Sequence, residues 1–472
     1  MNLLRLGIKK KSNSFVLLLT FRTFAATFII FNKLKPKTDM KQIIITIFLL
    51  FANIMGTSAQ EGAWSGILDL GDRKLPLVFH FDAEGCYVDF LAQHQKLKAN
   101  KSYTEDGKLK VAVPGANLTF IGVVSKEADL IVGNIIQGDS SNPFTLKRGE
   151  AEVKLNRPQT PKEPFPYKTE EVAFQNGKFT LHGTLSLPEN CSARTPVVLF
   201  VTRMGQQDRD ETNYDHKTFA VIADALARNG IASLRYDDRC LGDTVDFYNS
   251  FTTYDLKDDA SAGLKFLRKR FKKVGIIGHH FGGTIALMLA SEGKTDFVVS
   301  LAGIAVEFKK NLLWQNSVAL ESQGYSQDEI KQFSVACFLA YENISEGKPV
   351  EPVNVSVSDE LRPYLEWTIK QISKPYFRSL ISVDIPSLLP KIKCPVLALN
   401  GKMDNEVDYR SNLSILEEGL TTGKHKIMAL DGLNNLFQYS STGIVGDYAL
   451  IEETFAPEVL QIIIDWIKEQ KK

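Results

Sequence analysis

Cysteine is scarce: the 472 residues hold five, Cys86, Cys191, Cys240, Cys337 and Cys394. None stands in C-x-x-C spacing, so the chain carries no signature of a zinc site or a redox pair, and no metal or cofactor is expected. An odd count leaves at least one thiol free in any disulfide pattern, and spacing alone fixes no connectivity. Most of the five read as core residues. Excess charge of one sign is equally lacking. The formal net charge is +1, but nine of the 56 basic residues and one of the 55 acidic ones fall in residues 1–59, so the remainder carries −7. A mildly acidic chain has no electrostatic footprint for nucleic acid. With 44% hydrophobic residues there is material for a large core and more than one domain.

The N-terminus is apolar instead. Lys41 and Gln42 precede the run Ile43 to Ala52, and Thr57-Ser58-Ala59-Gln60 supplies small residues for cleavage near Ala59. This reads as a signal peptide starting at Met40, with residues 1–39 an upstream extension. The run Phe15 to Phe31, interrupted by Arg22, makes a membrane anchor the competing reading. No cysteine directly follows the signal run, which argues against a lipidated terminus. An exported, periplasmic protein is expected, membrane-bound only if this segment is retained.

Residues 60–157 are short, alternating and punctuated by turns, as in Trp64 to Leu70, Leu77 to Phe81, Leu109 to Val113 and Leu118 to Gly122, which predicts a small β-rich domain. Pro158, Pro161, Pro164 and Pro166 mark a stiff linker over 158–167. From 168 to 472 a hairpin over Glu170 to Pro188 is followed by alternating strands and helices. Strands are expected at Val197 to Val201, Ile231 to Leu234, Val274 to Ile277, Phe297 to Leu301, Val396 to Leu399 and Lys426 to Ala429. Helices are expected at Lys217 to Arg228, Leu256 to Lys269, Asp408 to Leu420 and Pro457 to Lys468. That order predicts an α/β fold, a mostly parallel sheet with helices on both faces. Between about 307 and 389 the alternation gives way to amphipathic helices, an insertion expected to lie over the carboxyl ends of the strands as a lid.

Gly278-His279-His280-Phe281-Gly282-Gly283 joins a buried-strand run to a helical one. This is the context of a nucleophile elbow, whose glycines allow a sharp turn that lifts the apex side chain above the sheet. The apex is His280, a residue type that tolerates positive φ. In this order of parts the triad acid follows, and Asp404 stands after the strand from Val396 in Gly401-Lys402-Met403-Asp404. A base should follow the next strand. The segment there, Asp431 to Gln438, has no histidine, and Asn435 cannot accept a proton at neutral pH.

Arg235-Tyr236-Asp237-Asp238-Arg239, Gln207-Asp208-Arg209-Asp210-Glu211, His216-Lys217, Leu433-Asn434, Leu436-Phe437-Gln438 and Ile451-Glu452-Glu453-Thr454-Phe455 closely resemble a branch of secreted bacterial α/β-hydrolases, the carboxylesterases and serine-aminopeptidase-like hydrolases. The resemblance spans nearly everything from Trp64 to Ile467. It implies an α/β-hydrolase fold with a Gly-His-Ser-x-Gly-Gly elbow, a Gly-Ser-Gly-Pro-Gln-Asp-Arg-Asp-Glu loop, Asp-Asp-Arg-Gly and Leu-Asn-His-Leu-Phe. At the matching positions this chain has His280 for the nucleophile, Asn435 for the base, Arg203, Met204 and Gln206 in the loop, and Cys240 for the last glycine. The backbone N–H of Phe281 is left as an oxyanion donor, with one from Met204 or Gly205, while Arg203 and Met204 add bulk where a substrate carbonyl would lie.

The departures imply a catalytically impaired hydrolase that binds a small acyl, ester or peptide-like ligand beneath the lid. The alternative is an active carboxylic ester hydrolase in which Asp404 orients His280 as nucleophile or base. A plainer expectation is that His280 fills the vacated space and hydrogen-bonds to Asp404 or Asn435. A metal set of His279, His280 and Asp404 lacks recognisable ligand spacing. The run Arg235 to Arg239 is expected to form a buried ion-pair network holding loops around the pocket.

Overall fold

The computed structural model describes residues 61–69, 74–82, 85–91, 95–125, 129–138, 140–149, 156–348, 356–422 and 424–470. The signal peptide and anchor expected within residues 1–59 lie outside the described residues. No described helix is long and apolar enough to cross a membrane. The chain divides into two compact units.

The first unit is built on eight strands: β1 (Gly62–Asp69), β2 (Lys74–Phe81), β3 (Cys86–Phe90), β4 (Gln95–Tyr103), β5 (Leu109–Val113), β6 (Leu118–Ser125), β7 (Leu130–Gln137) and β8 (Ser140–Arg148). They close into a barrel in chain order, with β1 returning antiparallel to β8 through Trp64 opposite Arg148. Alternation along several strands gives the barrel a buried inner face. In β5, Leu109, Val111 and Val113 are buried while Lys110 is exposed, the period-two pattern of a strand with one wet face. Phe79, Phe120 and Phe144 meet in the interior with ring centroids 5.5 to 6.0 Å apart. Trp64, Phe79 and Phe81 are buried, as a β core requires. Gly122 faces Gly133 across β6 and β7, where a Cβ on Gly133 would meet the Ile121 carbonyl oxygen at 2.0 Å.

The second unit holds an eight-stranded sheet. Its strands are β9 (Lys168–Asn176), β10 (Phe179–Leu187), β11 (Val197–Val201), β14 (Ala232–Tyr236), β15 (Val274–His279), β16 (Val298–Leu301), β17 (Val396–Gly401) and β18 (Lys426–Leu430), with a two-stranded ribbon of β12 (Thr212–Asn213) and β13 (His216–Lys217) beside them in chain order. The sheet order is β18-β17-β16-β15-β11-β14-β10-β9. The hairpin of β9 and β10 is antiparallel and joins β14 antiparallel, and from β14 to β18 the pairing is parallel. Every residue of β11, β15, β16 and β17 is buried, as parallel strands covered on both faces must be.

The covering helices are α1 (Thr218–Arg228), α2 (Phe247–Ser250), α3 (Thr253–Arg268) and α4 (Phe281–Ser291) before the insertion, and α9 (Tyr409–Gly419) and α10 (Pro457–Glu469) after it. Apolar residues of α1 and α10 join one core against the sheet, and those of α3 and α4 join the other. Between β16 and β17 lie α5 (Phe308–Ser322), α6 (Gln327–Ser345), α7 (Arg362–Ile372) and α8 (Pro375–Ile381), the helical insertion expected as a lid. They share the core of α3 and α4 through Phe333, Tyr341 and Tyr376.

Candidate active site

β15 ends at His279 and α4 begins at Phe281, so His280 alone makes the turn, at φ 51° and ψ −116°. The expected elbow is formed. A Cβ on Gly278 would lie 2.1 Å from the Gly282 carbonyl oxygen, and one on Gly282 would lie 2.0 Å from that of Val201, so only glycine lets these backbones approach. The His280 N–H donates to the Leu301 carbonyl at 2.8 Å, which anchors the apex to β16.

The His280 ring is buried, and neither of its nitrogens has a hydrogen-bond partner. The expected bond to Asp404 or Asn435 is therefore not made. Burial pushes the His280 pKa well below the ordinary histidine range, and the charges of Arg203 and His279 push it the same way. At neutral pH this is an uncharged imidazole with one N–H and one bare nitrogen.

Asp404 lies in the turn after β17, where its Oδ1 accepts the N–H groups of Glu406 at 2.8 Å and Val407 at 2.9 Å. Its Oδ2 accepts side-chain amide N–H groups from Asn400 at 2.9 Å and Asn435 at 2.8 Å. Four donors leave the carboxylate turned to Asn435, so the arrangement in which Asp404 orients His280 is absent. Acid and base positions are brought together as the triad order requires, but an amide stands where an imidazole would. Asn435 is buried with its NH2 turned to Asp404, and its Oδ1 is left without a partner. Burial, reinforced by the charge of Glu406, pushes the Asp404 pKa up to about 7 despite its donors.

His279, next to the apex, is fully engaged. Its Nδ1 contacts the Glu211 carboxylate, and its Nε2 donates to the Asn435 carbonyl at 2.9 Å. Burial opposes a charge there, but Glu211 outweighs it and the pKa is raised. Glu211 in turn accepts the Arg203 N–H at 3.2 Å. One imidazole thus ties the elbow to the acid–base turn and to the loop after β11, and a metal set containing His279 is not assembled. Among the described residues no three His, Cys, Asp or Glu side chains are grouped to hold a metal ion. Glu211 has a signal in the sequence only as the end of the Gln207 to Glu211 motif.

No family model matches the chain. Over 307 residues it is 26% identical to esterase EstD of Thermotoga maritima, covering 64% of this chain and 69% of that protein. Among solved structures, similarity extends to Est1E from Butyrivibrio proteoclasticus with ferulic acid bound, at 15% identity over 63% of this chain and 98% of that one, with a TM-score of 0.41. An esterase from Pyrococcus furiosus is similar at 13% identity over 69% and 100% of the two chains, again with a TM-score of 0.41. The chain's own strand order and the elbow at the end of β15 decide the architecture. This is an α/β-hydrolase fold, similar in sequence to an esterase.

In a hydrolase of this fold the carbonyl oxygen is held by backbone N–H groups of the elbow and of the loop after the strand corresponding to β11. Here the Phe281 N–H opens α4, but the Gly205 N–H already donates to the hydroxyl of Tyr376, a residue of α8, at 3.3 Å. Arg203 pairs with Glu406, and although burial opposes the guanidinium charge, Glu406 and Glu211 more than restore it. Met204 is half-buried beside it, and the Gln206 amide N–H donates to the Arg239 carbonyl at 2.8 Å. Cys240 sits at φ 57°, which explains the glycine of the hydrolase pattern at that position.

The charged run forms the expected network. Arg209 grips Asp237 at 2.6 Å and Glu171 at 2.6 Å, and Arg235 pairs with Asp210. Arg239 binds Asp259 at 2.7 Å, its guanidinium 4.5 Å from the centre of the Phe179 ring. Asp238 accepts the Gln207 N–H at 2.8 Å, and burial pushes its pKa up to about 8.

Proposed function

We propose that this esterase-like protein is a pseudo-hydrolase, an α/β-hydrolase that binds a small acyl, ester or peptide-like ligand beneath the lid helices without turning it over. The observation that carries the reading is the Asn435 amide donating to Asp404 where the imidazole of a triad would sit. Serine-type acyl transfer needs a base that takes the nucleophile's proton and returns it to the leaving group. An amide nitrogen has no basic lone pair for that. At the elbow, His280 is a neutral ring with no acid bonded to it. Loss of the serine or the histidine of a triad alone lowers kcat on the order of a millionfold. The reading needs no cofactor. It includes export to the periplasm with cleavage near Ala59, which sequencing of the mature terminus tests.

Hydrolysis of p-nitrophenyl acetate tests the chemistry. The natural chain is expected to match the buffer rate. The double variant His280→Ser with Asn435→His restores nucleophile and base and is expected to exceed it by at least about a hundredfold. Turnover by the natural chain that is lost on His280→Ala would overturn the proposal in favour of imidazole catalysis at the elbow.

A further inference from the structure

Helix α6 is apolar all the way round its middle. From Phe333 to Tyr341 its one polar residue is Ser334, and that hydroxyl lies 3.2 Å from the hydroxyl of Ser317 on α5. Phe333, Ala336, Cys337, Ala340 and Tyr341 turn into the core shared with α3 and α4. Val335, Phe338 and Leu339 turn the other way and are 43%, 44% and 42% exposed. No other stretch of five described residues leaves three large hydrophobic side chains so open. A surface helix is apolar on one face and polar on the other, and a helix apolar on both is covered on both. The outer face of α6 is the one without its cover.

The charges at the two ends of that face say what fits it. Asp328, Lys331, Val335, Phe338, Glu342 and Ser345 follow one another at alternating spacings of three and four, the seam along which helices pair. Laid antiparallel on a second copy of itself, the seam sets Lys331 opposite Glu342 of the second copy and Val335 opposite its Phe338, each contact occurring twice about a two-fold axis. Asp328 then meets Ser345 of the second copy, with Lys348 one turn further on. A parallel pairing would set Lys331 against Lys331 and Glu342 against Glu342. Lys331 is exposed and makes no ion pair among the described residues. Glu342 is part-exposed, and it takes Lys309 on Oε1 at 2.6 Å, which leaves Oε2 for a second cation. Anionic lipid has the wrong sign, because Asp328, Glu329 and Glu342 outnumber Lys331 along the helix.

We infer that the outer face of α6 is the contact between two copies of this chain, paired antiparallel through Val335, Phe338 and Leu339, with Lys331 and Glu342 closing each end. It has the apolar centre and polar rim of a protein interface. Because α6 belongs to the helical insertion, the pairing joins the lids of two copies, and it holds whether or not the site beneath them turns over ester.

Sedimentation velocity of the purified protein from about 1 to about 100 µM tests it, and a monomer–dimer equilibrium that moves with concentration is expected. Phe338→Asp alters an exposed position and leaves the buried face of the helix intact. It is expected to weaken dimerisation at least about a hundredfold, with Leu339→Lys as the second variant should the first misfold. Lys331→Glu is expected to weaken it about tenfold. Adding Glu342→Lys to Lys331→Glu exchanges the charges, with Lys309 keeping Glu307 as its partner, and is expected to return dimerisation to within about threefold of the natural chain. A dimer indifferent to the change at Phe338 or to Lys331→Glu, or a charge exchange that restores nothing, would overturn the assignment. So would a protein monomeric at every concentration, which would leave the face to a different protein.

Discussion

Asp404 is held by four donors, yet its proton leaves only near neutral pH, because burial beside Glu406 outweighs those hydrogen bonds. The folded group titrates at about 7 and the unfolded one at its ordinary 3.8. Between those values the native state keeps a proton that the unfolded chain has released. This contribution to stability is therefore full below about pH 4, falls as pH rises towards 7, and is lost above it. Asp238, pushed up to about 8, acts in the same sense. The difference between the natural chain and Asp404→Asn isolates Asp404, since an amide does not titrate and Asn435 can turn to face it. Urea midpoints at about pH 5 and about pH 8 should show that difference shifting against the natural chain at the higher pH. A pH-independent difference would mean that Asp404 is ionised throughout. Arg239 offers the opposite case, a buried cation matched to Asp259. Arg239→Ala leaves that carboxylate buried and unpaired, and a loss of about 3–5 kcal/mol is expected in the same urea assay.

At the scale of elements, the elbow depends on backbone contacts more than on its apex side chain. Gly282→Ala drives a Cβ into the Val201 carbonyl and should destabilise the protein by about 3 kcal/mol, whereas Gly293→Ala, at φ 69° with nothing within 4 Å, should lose only about 1 kcal/mol through its backbone angle. Equal losses in thermal melts would show that the close approach is relieved by small shifts. The elbow and its strands were readable because a fully buried parallel strand is a continuous apolar run, and β11, β15 and β17 are such runs. The helices were readable from amphipathic spacing, as in α10. Closure of the barrel was not, because local alternation says nothing of β1 meeting β8 through Trp64 and Arg148. Nor was the isolation of His280. Its lack of a partner depends on where Asp404 and Asn435 direct their bonds, and neither is near it in sequence. The Tyr376 hydroxyl on the Gly205 N–H joins helix α8 to the loop after β11 through a contact no motif encodes.

For the whole molecule, the cysteines couple composition to architecture. Export would permit disulfides, but all five thiols are free: Cys86 in the barrel, and Cys191, Cys240, Cys337 and Cys394 in the α/β unit. Burial pushes the Cys86 thiol up to about 11 and the Cys337 thiol, in lid helix α6, up to about 12. Alkylation proceeds through the thiolate, so both should resist iodoacetamide in the native protein on grounds of access and of ionisation. Cys394, half-buried, is also pushed up to about 11 by burial. Cys240 is half-buried in a turn beside the exposed Leu241, and although burial and Asp243 raise its thiol pKa it should be labelled before Cys86 and Cys337. Mass spectrometry after denaturation without reductant should find five adducts, and fewer would reveal a disulfide. Under native conditions Cys86 reacts only as fast as the barrel opens, and Cys337 only as fast as the lid helices do. The second rate bears on the site directly, because Tyr376 closes over Gly205 from the same insertion. If a ligand enters by movement of these helices, a saturating one that holds them shut should slow labelling of Cys337 and leave Cys86 unchanged. Equal slowing at both cysteines would instead report general stabilisation.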